Sequence, residues 1–508
     1  MQPPKRWWRG RRWWLIGLGA VLLACLVRLV VAPVHLPLTG WVAGALTKAV
    51  GVPVRVGAVG VRLELSGIAL AVDEVRLKSD VFSASVPRIS VIQGFFGRTV
   101  RFDGPALRLD PSRGSGEPVP IPHPDHAIAA LDAALSGVLA AGRERGIRQA
   151  RVNGGRIDFV SAGRPINEAR VLQNLTAEID FLRAGEFYAE LSMVGAEGPM
   201  GARLSRTLTE GAPSIRIEAE GFSPKDIVRA GPVREGFPVT LSIEADLSVA
   251  GEVRHASLDA AVGEGTVVFG KDPPRVMDGA SLSLSRNADG SQILIDALEV
   301  NAGRTVIAGA GTLTPAFDTD LPWTFELGAT DALLDPADNR EAPVIADQLS
   351  AAGAVDFNTR LLMVEDFTAR FPKGRFDASF TFDFSKNGPT LAGAARIGPS
   401  SINTLLAAWP LVAAHDPRRA IFETVQGGYV RGGDLVFALT PLELDGDPST
   451  NDMIEGGMAI DIAFTGATVT TPELPMAVHR ANGALRLRDK SLSVRLDRGM
   501  VPAGDGGP

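Results

Sequence analysis

Side chains able to do chemistry are sparse in this chain of 508 residues. It has six histidines: His35, His123, His126, His255, His415 and His479. None belongs to a His-Glu-x-x-His pair. His123-Pro-Asp-His126 has the spacing of two metal ligands, but the surrounding stretch is rich in proline and brings no third ligand, so a solvated loop is expected. Gly265 to Gly270 followed by Lys271 imitates a phosphate-binding loop. Asp272 stands where such a loop needs Ser or Thr, and Pro273-Pro274 blocks the helix that should follow, which predicts a hairpin turn instead. Asp445-Gly-Asp447 with Asn451 and Asp452 suggests calcium. An EF-type loop would need Gly at Thr450 and Glu at Gly456, so a polar turn is expected. There is no Gly-x-Ser-x-Gly elbow and no dinucleotide fingerprint. The single cysteine, Cys25, lies within an apolar run, which excludes an internal disulfide and argues against thiol catalysis. These absences predict a protein that is not an enzyme and uses no metal or cofactor.

Composition narrows the class. Apolar residues make up 45% of the chain, too many for a disordered protein. A net charge of −7 over this length offers no electrostatic footprint for nucleic acid.

The first 34 residues read as a membrane anchor. Lys5, Arg6, Arg9, Arg11 and Arg12 precede an apolar run from Trp13 to Ala32, broken only by Arg28. About 20 residues at 1.5 Å each match a hydrocarbon core of roughly 30 Å. The basic cluster stays in the cytoplasm, so the chain exits N-in, C-out. Trp13 and Trp14 suit an interfacial belt, while Leu15, Leu22, Leu23, Leu26 and Leu29 face lipid. Two alternatives stay open: a lipobox at Leu22-Leu23-Ala24-Cys25, with Cys25 lipidated, and a cleaved signal peptide.

Beyond the anchor, Leu36 to Val50 has the spacing of a short amphipathic helix, either lying on the membrane or packing on the first strands. From Val52 the apolar period becomes two. Val61, Leu63 and Leu65 alternate, then Ile68, Leu70 and Val72. Val239, Leu241, Ile243 and Leu247 repeat the pattern. Phe376, Phe380, Phe382 and Phe384 give its sharpest instance, with Asp377, Thr381 and Asp383 between them. Such strands have one dry face and one wet face. Helical spacing returns at Asp125 to Gly146 and at about Pro399 to Val425. The expected organisation is a basic tail (1–12), a transmembrane helix (13–34), an N-terminal β region (35–124), an amphipathic helix (125–146), a long β region (147–398), a helical insertion (399–425) and further strands (426–508). Long runs of strands with few crossover helices predict a mainly antiparallel β fold. The dry faces could close as sandwiches, as a barrel, or as one curled sheet.

Three stretches carry a resemblance to a known family. They are Gly51-Val-Pro-Val-Arg-Val-Gly57 with Leu65 to Leu70 and Asp73 to Leu77; Val100 to Leu109; and Ala408-Trp409-Pro410 with Arg418-Arg419, Gly427-Gly428 and Gly432-Gly433. Together with the anchor, this layout resembles the AsmA-like superfamily, and within it the YhdP-type proteins. The resemblance implies a bacterial inner-membrane anchor and an elongated periplasmic sheet curled into an apolar groove. It further implies conduction of phospholipid between the inner and outer membranes, in support of outer-membrane integrity. Its partners would be phospholipid acyl chains, the inner membrane and an envelope protein at the outer membrane. The residues expected to line the groove are Val239, Leu241, Ile243, Leu247, Phe376, Phe380, Phe382 and Phe384, with a closed sandwich core as the alternative. The runner-up role is a non-catalytic structural or assembly factor of the envelope, and a periplasmic enzyme is third. Proteins of this type usually continue well past the position of Gly504 to Pro508, so a short member or an N-terminal portion is expected.

Overall fold

The computed structural model describes residues 34–501, apart from 51, 65–66, 80–81, 95–96, 110–121, 160–169, 182–184, 196–197, 224–232, 268–274, 319–320, 336–341, 385–389, 410–414, 440–456, 472–475 and 489–490. The expected anchor therefore lies outside the described residues, except for Val34. That residue opens a strand, Val34–Leu36, rather than closing a helix. The described chain is mainly antiparallel β-sheet with few helices. It divides into two compact units, 1–117 with 131–222, and 118–130 with 223–508. The expected boundaries at 146/147 and 398/399 fall inside these units.

In the first unit the strands Ala58–Glu64, Gly67–Lys78, Phe82–Gly94 and Gly97–Asp103 form a meander. Gly97–Asp103 and Ala106–Leu109 then pair in parallel with Ile147–Phe159. A parallel pair needs a long crossover. Helix α2 (Pro124–Glu144) supplies it, after helix α1 (Thr39–Val50) near the start of the unit. The sheet continues antiparallel through Arg170–Phe181, Phe187–Val194, Pro199–Thr209 and Ala212–Phe222. The last hairpin closes with Thr209 opposite Ala212, so Glu210 and Gly211 form a two-residue turn with φ of 53° and 84°. Positive φ at both central residues gives the twist that such a turn requires.

Each helix is held by identifiable contacts. Val42 and Leu46 of α1 pack on a buried cluster of Val54, Val59, Val72, Val75 and Val86. The helix thus packs on the first strands, while Trp41 stays 74% exposed. On α2, Leu139 is buried. A Cβ on its Gly142 would lie 3.1 Å from the Phe181 ring, so only glycine allows that approach without a shift. Buried Arg206 donates from Nε to Asp132 of α2 at 2.7 Å.

In the second unit the strands run from Val239–Leu247 to Ser491–Met500, each antiparallel to the next in the sheet. The phosphate-loop mimic is a hairpin of Gly265–Val267 against Arg275–Met277, and its tip lies outside the described residues. The expected helical insertion is two short helices, α3 (Ile402–Ala408) and α4 (His415–Thr424), flanked by Ser400–Ser401 and Val425–Gln426 in strand conformation. Ser401 caps α3 by accepting from Thr404 N at 2.9 Å. Arg418 of α4 is buried and donates to Leu406 O at 2.9 Å. Trp409 and Ile421 enter one large core with Ile397, Leu435, Ile460, Ile462, Phe464 and Leu485.

Candidate functional site

Cross-strand register decides which side chains share a face. Residues directly opposite one another on paired strands point the same way. In the second unit two rows can be followed without interruption. One runs Leu241, Ala260, Leu282, Leu298, Gly309, Ala329, Leu349, Ala369, Phe376, Ile397, Gly433, Ile462, Leu485, Val494. The other starts at Ile243 and Leu258 and passes through Leu284, Ile295, Leu327, Phe367 and Leu435 to Ile460, Leu487 and Leu492. Neither row contains a polar residue. The bulges at Ile295/Leu298, Ala352/Gly353 and Val364/Phe367 shift the register, yet the rows stay apolar because the sequence alternation slips with them.

The opposite face is polar. Ser242, Asp259 and Ser283 lie in one row, with Ser283 Oγ donating to Asp259 at 2.6 Å. Asp377, Arg396, Asp434, Asp461 and Arg486 form another. Burial works against the charge of Asp377, but hydrogen bonds from Arg375 and Thr368 outweigh it and hold the carboxyl below its ordinary value.

Coverage of the apolar face changes along the sheet. From the strand Thr390–Ile397 onward it lies in the large core with α3 and α4, where Ile460 and Leu485 are fully buried. Near Ala369 and Phe376 it meets Ala407 and Ala408 at the end of α3. Further back, Leu241, Leu258, Leu282, Leu284, Leu298 and Leu327 are only half-buried, and none of them belongs to a cluster of buried side chains among the described residues.

The expected lining residues fall at different places in this gradient. Val239, Leu241 and Ile243 sit on the half-buried stretch. Leu247 is buried at 2% exposure, so it is core and not open lining. Phe376, Phe380 and Phe382 are partly buried against the core. The rings of Phe380 and Phe382 meet edge to face at 5.8 Å. Phe384 lies beyond the end of the strand Gly374–Asp383 and is 49% exposed, so it is a rim residue. Register joins the two expected groups, Val239 to Ile243 and Phe376 to Phe382, onto one face. Sequence reading missed Leu282, Leu284 and Leu298. The signal for Leu282 and Leu284 was present in Ala280-Ser-Leu-Ser-Leu-Ser285, a strict alternation of small and apolar residues.

The anchor residues Trp13, Trp14, Leu15, Leu22, Leu23, Leu26 and Leu29, and also Cys25, lie outside the described residues. Among the described residues no helix is long and apolar enough to cross a membrane. The rings of His123 and His126 stand 5.8 Å apart, and no group of three metal-ligating residues occurs among the described residues. Asp445, Asp447, Asn451 and Asp452 lie outside them. No family model and no curated protein matches the chain.

Proposed function

We propose that the second unit carries phospholipid acyl chains along its apolar face. The carrying observation is the half-buried stretch of that face from Val239–Leu247 to Trp323–Leu334. The six strands over which it extends, Val239–Leu247, Val253–Val262, Gly279–Arg286, Ile293–Ala302, Thr305–Thr314 and Trp323–Leu334, span about 24 Å at the usual strand spacing of about 4.8 Å. That exceeds half of the roughly 30 Å hydrocarbon core, the depth of one lipid leaflet. Each methylene moved from water onto such a surface contributes about 0.8 kcal/mol. A polar headgroup can stay in water beyond the edge of the sheet. On this proposal the sheet would curl into a groove around the acyl chain, and no covalent chemistry is needed.

In this reading the apolar run from Trp13 to Ala32 anchors the chain in a bacterial inner membrane, and the sheets stand in the periplasm. The protein is then a member of the AsmA-like superfamily that moves phospholipid towards the outer membrane and supports its integrity. A specific observation favours the scaffold role for the other end of the sheet: from Thr390–Ile397 onward the face is occupied by α3 and α4.

The test is photocrosslinking in cells, with a probe amino acid at Leu282 and Phe380 and controls at Ser283 and Thr381, read by mass spectrometry. Phospholipid adducts at Leu282 and none at Ser283 are expected. Protein adducts at Leu282 without lipid would overturn the reading in favour of an envelope scaffold or assembly factor.

A further inference from the structure

On the first unit, one end of the polar sheet face carries an unusual charge pattern. Arg55 lies directly opposite Arg76. Lys78, Ser83, Arg108 and Asp158 form the next row across four strands. Like charges set opposite each other on neighbouring strands destabilise a sheet unless something neutralises them. Elsewhere on this unit carboxylates do so. Arg101 holds Glu64 with two hydrogen bonds of 2.9 and 3.0 Å, Arg62 also meets Glu64, Arg88 meets Asp73 at 2.6 Å, and Arg151 meets Glu178 at 2.9 Å.

At this end the cations outnumber the carboxylates beside them. Among the described residues, Arg55, Lys78 and Arg108 make no ion pair and no side-chain hydrogen bond. Arg76 has only a 3.5 Å contact with Glu74, both side chains being about two-thirds exposed. One carboxylate, Asp158, lines the concavity opposite Arg108, and Arg156 already holds it at 2.5 Å. These cations line a concavity of about 760 Å³ together with Ser79, Ser83 and Ser85. That volume falls within the usual range of ligand pockets, about 300–1,000 Å³.

We infer that this concavity binds a phosphate group, held by Arg55, Lys78 and Arg108 with the serine hydroxyls beside them. A phosphate offers several acceptor oxygens at once, which suits cations converging from separate strands, and guanidinium groups match its geometry. The bound phosphate supplies negative charge that Glu74, its contact to Arg76 being long and exposed, provides only in part. It rests on the first unit alone and does not depend on acyl chains moving along the second. The phosphate could belong to a lipid headgroup or be free in solution.

The experiment uses the full chain in neutral detergent and follows binding by calorimetry. The probes are inorganic phosphate, short-chain phosphatidylglycerol below its aggregation threshold, and the matching diacylglycerol without phosphate. At least one phosphate-bearing probe should bind, and the triple variant Arg55→Gln/Lys78→Gln/Arg108→Gln should weaken it by about tenfold or more, because charge-assisted bonds carry such sites. Ser83→Asp, which sets a carboxylate between Lys78 and Arg108, should weaken it likewise. The charge-matched control Arg396→Gln/Arg486→Gln/Arg495→Gln, on the second unit, should leave it unchanged. Phosphatidylglycerol that binds and is not displaced by inorganic phosphate identifies a headgroup site. Inorganic phosphate that binds and displaces the lipid identifies a free-phosphate site. No binding of either phosphate probe, equal binding of diacylglycerol, or an equal loss in the control overturns the inference. Loss of lipid crosslinks at Leu282 with phosphate binding intact would count against the acyl-chain reading only.

Discussion

Glu64 shows how the first unit depends on single ion pairs. Burial works against its charge, but hydrogen bonds from Arg62 and Arg101 and their positive charges outweigh this and hold its carboxyl below the ordinary value of 4.5. The folded state therefore binds this proton less readily than the unfolded chain. The resulting stability is fully present above about 4.5 and is lost as pH falls through the lowered value. Glu64→Gln should remove that dependence, so melting curves of the variant should flatten with pH across the acidic range compared with the parent. Arg418 is the matching case in the second unit, a buried cation whose Nη2 caps the carbonyl of Leu406. Arg418→Ala should cost about 2–3 kcal/mol, since it leaves a buried carbonyl without a charged donor. Urea unfolding followed by tryptophan fluorescence reads this directly, with Trp409 in the same core.

The elements owe their positions to a few backbone requirements. Gly428 follows α4 with φ of 77°, and a Cβ there would lie 2.7 Å from Ala467 N and Thr465 O. Both backbone strain and a clash with the neighbouring strand oppose any side chain. Gly428→Ala should therefore destabilise the unit by more than about 1 kcal/mol, the cost of left-handed backbone alone. An equal change at Gly427 makes the comparison, because its φ of 60° is also left-handed but its Cβ would meet nothing within 4 Å. Trp409, Arg418 and Gly428 thus help to seat α3 and α4 on the sheet.

Across the second unit, burial along the apolar face divides side chains that hold the fold from those that stay accessible. Leu298 is half-buried, so Leu298→Asp should change stability by only about 1 kcal/mol, in the usual range for partly exposed sites. If acyl chains travel along that row, the same substitution should sharply reduce phospholipid that co-purifies with the protein. Ile460, 1% exposed in the core beneath α3 and α4, lies on the neighbouring apolar row. Ile460→Asp should cost several kcal/mol, because it buries an unpaired carboxylate. Thermal melts paired with lipid extraction and mass spectrometry distinguish the two. A Leu298→Asp protein that keeps its lipid would count against conduction along this face.

Local pattern was enough for some of this. Alternation in Phe376 to Asp383 and Val239 to Leu247 showed strands with one dry face, since side chains of a strand point to opposite sides by geometry alone. The spacing of Ile128, Leu131, Leu135 and Leu139 marked a helix because a 3.6-residue turn brings them together. The fold class, mainly antiparallel sheet, followed from long runs of such strands. Tertiary structure decided what local pattern does not carry. Pairing over long separations placed Leu241 and Phe376 in one row, and bulges moved the register along the way. Helix packing made Ile460 core while Leu298 stayed half-exposed. The parallel pairing of Gly97–Asp103 with Ile147–Phe159 depended on where α2 crossed. Arg55, Lys78 and Arg108 converge only once four strands align, because opposition across a sheet is set by hydrogen-bonded register and not by distance along the chain.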